Sequence, residues 1–274
     1  MVQGIARRVG DQKLLGHPPQ SSQLFIPLLK RTTPSPGNTL PAERRVVSDV
    51  FDTLIVSDVH LGTGVSRADA LLATLKRSTF NRLILLGDIF DDLNFAKLHP
   101  SHWSLLSHVQ KLAAPRSGIE VVWVEGNHDR LLSKVIQTFL GIPIYKQYEW
   151  VHRGKKLLAL HGHQFDSFIT RYPYITGPAD QLYRTIQRIE PRHYRLSRLL
   201  KHSSKTWLRI SEQIAWGALS YAKKRDATQI FCGHTHYPMS QQSAGVTYYN
   251  TGCWTETPAT FITVSDYVAL RECA

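Results

Sequence analysis

Short apolar runs recur along the chain, and each stops at the same kind of residue. Leu54, Ile55 and Val56 lead into Ser57, Asp58, Val59 and His60. Leu83 to Leu86 lead into Gly87 and Asp88, and Val121 to Val124 into Glu125, Gly126, Asn127, His128 and Asp129. Leu157 to Leu160 precede His161, Gly162 and His163, and Gln229 to Phe231 precede Gly233, His234, Thr235 and His236. Runs of this length bounded by polar residues and glycine read as buried strands. A period of two sets Asp58 and His60 on one side of a chain extended just past its strand. Five strands that each end in Asp, Asn or His offer the oxygen and nitrogen donors that divalent metals take.

Between the first runs the pattern alternates strand with helix, the mark of an α/β domain. Ala68 to Lys76 and Trp103 to Leu112 read as helices, and a strand pair brackets the turn at Gly154. From Asp180 to Lys224 the period turns helical through Leu182, Ile186 and Ile189, then Leu196, Leu199 and Leu200, then Trp207, Ile210 and Ile214. Pro191 divides the first of these helices from the second. Strands return from Gln229, with Thr247 to Tyr249 and Phe261 to Val264 clear. The organisation expected is an irregular extension over 1–46 and one domain over 47–274, with a helical lid insertion at about 178–225. Six prolines between Pro18 and Pro41 spoil an amphipathic helix there, and the extension carries no apolar core of a secretion signal.

The chain of 274 residues can bury a full core, and it has no run approaching the ~18 to 20 apolar residues of a membrane span. Cys232, Cys253 and Cys273 are odd in number and lack metal spacing, which fits a reducing compartment. A formal net charge of +12 favours an anionic partner. The excess is concentrated between Gln181 and Ile210, where Arg184, Arg188, Arg192, Arg195, Arg198, Lys201, Lys205 and Arg209 face Glu190 alone.

Taken in order, Asp58-Val-His60, Gly87-Asp88-Ile-Phe-Asp91, Gly126-Asn127-His128-Asp129, His161-Gly162-His163 and Gly233-His234-Thr235-His236 resemble the blocks of the calcineurin-like metallophosphoesterase superfamily. The resemblance covers the chain from about Asp52 onward. It implies an α/β, four-layer metallophosphoesterase fold: two mixed β-sheets packed face to face and flanked by helices, here with a basic helical insertion. By matching block, Asp58, His60 and His236 would hold one divalent ion and Asn127, His161 and His234 a second, with Asp88 bridging. Manganese is the metal expected, with iron and zinc as alternatives, because the same donors accept all three. A hydroxide between the ions would attack phosphorus in line. His128 would face the leaving oxygen, and Asp91 would orient the His128 imidazole. His161 and His163 compete for one ligand place; the family's His-Gly position favours His161 and leaves His163 as an outer partner or substrate contact. Asp129 reads as an outer partner of the ligands or a structural residue.

The basic helical segment and the run Asn250-Thr-Gly-Cys-Trp254-Thr-Glu256 resemble the branch that contains UDP-2,3-diacylglucosamine pyrophosphatase. That resemblance implies a lipid-linked nucleotide-sugar diphosphate as substrate, with Arg195, Arg198, Lys201 and Lys205 meeting the diphosphate. It also implies a cytoplasmic protein with peripheral contact at an inner membrane through the basic helices. The departure is His128, where that branch often carries Arg. Other phosphodiesters or monoesters stay open as substrates, with nucleic acid the weaker partner, and so does a non-catalytic binding module on the same scaffold. On spacing alone, the apolar stripe of the insertion packs on the body.

Overall fold

The computed structural model describes residues 49–92, 94–130, 133–166 and 205–273. The first half runs β1 (Asp49–Val56), α1 (Ala68–Arg77), β2 (Ser78–Leu86), α2 (Pro100–Ala113), β3 (Glu120–Val124), α3 (Ser133–Leu140) and β4 (Ile144–Tyr145). Then follow β5 (Tyr148–His152), β6 (Lys155–Ala159), α4 (Lys205–Lys223), β7 (Gln229–Cys232), β8 (Met239–Ser243), β9 (Val246–Asn250), β10 (Ala259–Val264) and β11 (Val268–Cys273). The strands form a six-stranded sheet in the order β11-β10-β1-β2-β3-β4 and a five-stranded sheet in the order β5-β6-β7-β9-β8. Both are mixed: β1, β2, β3 and β4 run parallel, as do β6, β7 and β9, and antiparallel strands close three of the four edges.

The C-terminal parts of the central strands, such as Leu54–Val56 and Leu83–Leu86, are apolar at consecutive positions because both of their faces are covered. On the first sheet, Leu54, Val56, Leu83, Leu85, Val121 and Trp123 point to α1 and α2. Their alternates Ile55, Ile84, Leu86, Val122 and Val124 meet Trp150, Leu157, Ala159 and Phe231 of the second sheet. The far face of that sheet, with Leu158, Ile230, Cys232 and Tyr248, packs on Ala215, Ala218, Leu219 and Ala222 of α4. These four residues recur at helical spacing, and three of them are alanines, which let the helix lie close to the strands. The result is four layers, helix, sheet, sheet, helix, as the sequence leads one to expect.

Four elements carry no clear sequence signal: α3, the two-residue β4, and the edge strands β8 and β11. Part of the expected helical insertion, 178–204, lies outside the described residues, as do the extension 1–46 and therefore Arg195, Arg198 and Lys201. Lys205 opens α4, but its side chain too is outside the described set. Among the described residues no helix is long and apolar enough to cross a membrane.

Candidate metal centre and active site

Every expected ligand sits just past the C-terminal end of a strand in the middle of its sheet, where the two sheets face each other. The loops after β1 and β2 stay hydrogen-bonded beyond the strands: Asp58 N donates to Gly87 O (3.0 Å), His60 N to Asp88 O (3.1 Å) and Leu61 N to Ile89 O (2.8 Å). Gly233 N donates to His161 O (2.9 Å) in the same way on the second sheet. Two bonds then cross from sheet to sheet, His234 N to Asp58 Oδ2 (3.0 Å) and His161 Nδ1 to Leu86 O (2.8 Å). The crossing needs Gly87: a Cβ there would stand 2.5 Å from His161 Nδ1, and the residue's φ is +81°.

The local backbone differs from the extended path expected of the Asp-x-His block. Asp58, His60, Asp88, His234 and His236 all have positive φ, between 48° and 69°. Asp58 and His60 converge because the chain coils through the left-handed region after β1, not because a strand continues. Such residues cost of order 1–3 kcal/mol each and persist where their surroundings over-determine them. Here the inter-loop hydrogen bonds do so.

Among the described residues four donor groups result, one of which joins His236 to Cys253 and Glu256. In the others, ligand atoms of Asp58, His60 and His236 lie within 4.8 Å of one another, as do those of Asp88, His161 and His234, and those of His60, Asp91 and His128. The Asp58 group joins the three residues expected at one ion, and the Asp88 group joins Asp88, His161 and His234 of those expected at the other, with His161 and not His163 among them. The expected bridge, Asp88, has Oδ2 3.2 Å from His161 Nε2 and 4.0 Å from His128 Nε2, while its Oδ1 accepts from His128 N at 2.9 Å.

Whether these residues fit a cation is answered by their unused atoms. Asp58 Oδ1, Asn127 Oδ1 and His161 Nε2 are buried and make no hydrogen bond. The other side of each group, where the structure shows it, is committed: Asp58 Oδ2 accepts from Ser57 Oγ and His234 N, and His161 Nδ1 donates to Leu86 O. Buried polar atoms are paired almost without exception, and leaving one unpaired costs about 1–3 kcal/mol. Three such atoms, each just past a strand end, have the chemistry to hold divalent ions. Asp58 Oδ1 lies 3.1 Å from His236 Nε2 without bonding it, a spacing suited to neighbouring donors on one ion.

The electrostatics agree. Burial opposes ionisation of Asp88, yet the His161 imidazole outweighs it and holds the carboxyl well below its ordinary value. Asp58 is lowered against the same burial by His236. In return, and despite burial, Asp88 raises His161 to about 10, and Asp91 with Asp88 raises His60. In the absence of a cation, protons on the imidazoles balance the buried carboxylates. His163, whose ring centroid is 5.6 Å from that of His161, is pushed down to about 3 by burial and by the charges of His161 and His234.

Asp91 is placed differently from the expectation. Its carboxylate Oδ1 lies 3.3 Å from His60 Nδ1, and it is the Asp91 main-chain carbonyl, 2.7 Å away, that accepts from His128 Nδ1. Asp91 thus serves a metal-ligand imidazole with its side chain and His128 with its backbone. Asp129 is structural, one of the two roles expected: its carboxylate accepts from Ile89 N (3.3 Å), Phe90 N (3.1 Å) and Trp123 Nε1 (3.3 Å), and burial with the Asp88 charge lifts it to about 6.

Sequence reasoning misses three supports. Asp166 Oδ2 lies 3.1 Å from His234 Nε2. Ser57 Oγ bridges Thr251 Oγ1 and Asp58 Oδ2. Asn250 holds the Gly-His-Thr-His loop by donating to Gly233 O (2.6 Å) and Thr235 Oγ1 (3.1 Å), while its own Oδ1 accepts from Gly252 N (2.9 Å). The Asn250-Thr251-Gly252 run is a visible signal whose role, bracing Asp58 and His234 from behind, depends on β9 lying beside β7.

Among solved structures, the chain is similar to the phosphoesterase Yfce of E. coli, with 17% identity, a TM-score of 0.43, and 77% of this chain and 86% of that one covered. It is similar also to an archaeal phosphodiesterase (11% identity, TM-score 0.44, 80% and 98% covered) and to a single-site variant of Vps29 from Entamoeba histolytica (14%, 0.42, 80% and 97%). Among curated proteins none matches. The model of one family, the calcineurin-like phosphoesterases, matches residues 51–238, a span that contains all seven expected ligands, His128 and Asp91. The chain therefore belongs to the calcineurin-like phosphoesterase family and is a metal-dependent phosphoesterase.

Proposed function

We propose that the protein hydrolyses a phosphoester or diphosphate bond with two divalent ions at this centre, and that its substrate is a lipid-linked nucleotide-sugar diphosphate such as UDP-2,3-diacylglucosamine. The observation that carries the hydrolytic reading is the set of buried, unbonded donor atoms on Asp58, Asn127 and His161. Asp58, His60 and His236 would hold one ion, Asn127, His161 and His234 the other, and Asp88 both. When bound, such a pair supplies positive charge to the phosphoryl oxygens and lowers the pKa of a shared water.

The chain's own groups do the rest. Asp91 and Leu86 fix the tautomers of His60 and His161 by accepting from their Nδ1 atoms, so that each presents Nε2 to the centre. His128 has Nδ1 tied to the Asp91 carbonyl and its side chain 21% exposed, which leaves Nε2 at the mouth of the site. From there it donates a proton to, or stabilises the charge on, the leaving oxygen.

The lipid-linked substrate is supported by the sequence: the basic stretch holding Arg195, Arg198, Lys201 and Lys205, the apolar positions between them, and the Asn250 to Glu256 run. The metal proposed is manganese. The location proposed is the cytoplasm, with contact at the inner membrane surface when the protein meets its substrate.

The test is metal content together with turnover of an aryl phosphodiester. Asp88→Ala is expected to lose both bound metal and activity, whereas His128→Ala keeps the metal and loses activity by about 10²–10⁴-fold. Full activity in both variants ends the hydrolytic reading. For the substrate, the manganese-loaded enzyme is offered the acylated nucleotide sugar, its non-acylated analogue and single-stranded DNA. Equal rates with and without acyl chains remove the lipid, and faster cleavage of DNA moves the reading to nucleic acid.

A further inference from the structure

The imidazoles at the centre do not all face it in the same way. His60 and His161 commit Nδ1 to a fixed acceptor and present Nε2. His234 is reversed: its Nε2 is hydrogen-bonded to Asp166 Oδ2 at 3.1 Å. This contact is of a different kind from the two close pairs at the centre. His236 Nε2 lies 3.1 Å from Asp58 Oδ1 and His161 Nε2 lies 3.2 Å from Asp88 Oδ2, but Asp58 Oδ1 and His161 Nε2 make no hydrogen bond. Those pairs are neighbouring donors, whereas His234 and Asp166 are donor and acceptor. Among the described residues Asp166 belongs to none of the groups of three or more donors that could hold an ion, and its contact at the centre is the bond to His234 Nε2.

We propose that Asp166 is a positioning residue that holds His234 as its Nε2–H tautomer, making Nδ1 the atom offered to the second cation. An imidazole ring has one lone pair to give when neutral, and the nitrogen whose proton is bonded elsewhere cannot give it. The His234 backbone is held independently, by φ of 69° and by its N–H bond to Asp58 Oδ2, so the bond to Asp166 is left to orient the ring.

Asp166 is itself held from the opposite side of the second sheet. It closes the short turn His163–Phe165, with Phe165 N donating to Gly162 O (3.0 Å) and Asp166 N to His163 O (3.1 Å). The Phe165 ring packs edge-on against Tyr221 of α4, centroids 5.6 Å apart, and sits over Gly217, where a Cβ would come within 3.0 Å of Phe165 Cβ. One turn therefore delivers a ligand at its entry, His161, and the brace of another ligand at its exit, and α4 sets its height.

The proposal rests on the two-cation reading, and the experiment separates them. Metal-free full-length protein is titrated with zinc, the bound equivalents are counted, and the imidazole nitrogen resonances are recorded. Wild type is expected to take two equivalents, with His234 protonated at Nε2 and metal-bound at Nδ1. Asp166→Ala should bind the first equivalent as wild type does and the second about 10–100-fold more weakly. Asp166→Asn, whose amide oxygen still accepts, should recover part of that loss. Wild type that takes fewer than two equivalents overturns the two-cation reading. Two equivalents with His234 bound through Nε2, or an Asp166→Ala protein of unchanged second affinity, overturn the role of Asp166 alone. The wild-type spectrum decides even if the alanine variant does not fold.

Discussion

Asn127→Ala offers a test in which the sign of a stability change depends on metal. Asn127 Oδ1 is buried and unbonded, so in metal-free protein it carries the penalty of a desolvated acceptor, about 1–3 kcal/mol. Alanine removes that acceptor and with it the amide's remaining packing. The metal-free variant is therefore expected to melt at or above wild type, by up to about 4 °C at roughly 2–4 °C per kcal/mol. With metal the sign reverses. At a free metal concentration of about 100 times Kd a bound ion contributes about 2.7 kcal/mol, and a variant whose Kd is 100-fold weaker keeps only about 0.4. The difference of about 2.3 kcal/mol corresponds to a fall of roughly 5–9 °C, less whatever the metal-free gain was. Thermal melts of chelator-dialysed and manganese-saturated protein, wild type and variant side by side, give all four numbers. A variant that loses the same number of degrees with and without metal would refute the reasoning, because Asn127 would then be an ordinary packing residue.

Three further outcomes are expected. His161 is raised to about 10 by Asp88, so its stabilising proton is fully present below its ordinary value near 6.5 and is lost as pH rises towards 10. Metal-free protein should lose stability across that window while metal affinity rises, since the ion displaces the proton; denaturant melts and metal titrations at pH 6.5 and 9.5 check both signs. Ser57→Ala removes a donor to Asp58 Oδ2 without replacing a ligand, and should weaken metal binding about 10–100-fold while metal-free protein loses about 1–3 kcal/mol in denaturant unfolding, since Asp58 and Thr251 lose a buried partner. Asn250→Leu breaks the bonds to Gly233 O, Thr235 Oγ1 and Gly252 N inside the protein, and should cost about 3–5 kcal/mol in denaturant unfolding irrespective of metal.

The apolar runs ending at Ser57, Leu86, Val124, Leu160 and Cys232 announce the central strands, because a strand buried on both faces must be apolar at consecutive positions. For the same reason the edge strands β8 and β11 are faint: most of their positions are half-exposed or exposed, β8 is polar after Met239, and β11 turns polar at Arg271 and Glu272. The candidate ligands are legible for a local reason as well, since each follows its strand within a few residues. The Asp91 assignment shows the limit of that reading. A three-residue offset from Asp88 says that Asp91 is near the centre, but which of its two oxygen-bearing groups meets which imidazole is set by the course of the loop.

By itself the amino-acid order determines which strands are buried, where each ends, and which donor atoms wait at those ends, because apolar periodicity and ligand chemistry are properties of short stretches. Tertiary packing alone decides that Asp88 of the first sheet faces His161 of the second. It also decides that the main chain turns left-handed at five of the ligands, and that Asp166, Asn250 and the Leu86 carbonyl hold the imidazole side of the site. Those contacts join residues 17 to 75 positions apart, and the two that cross between the sheets depend on a facing set by the whole apolar core between them. No pattern within a single strand encodes the distance across that core.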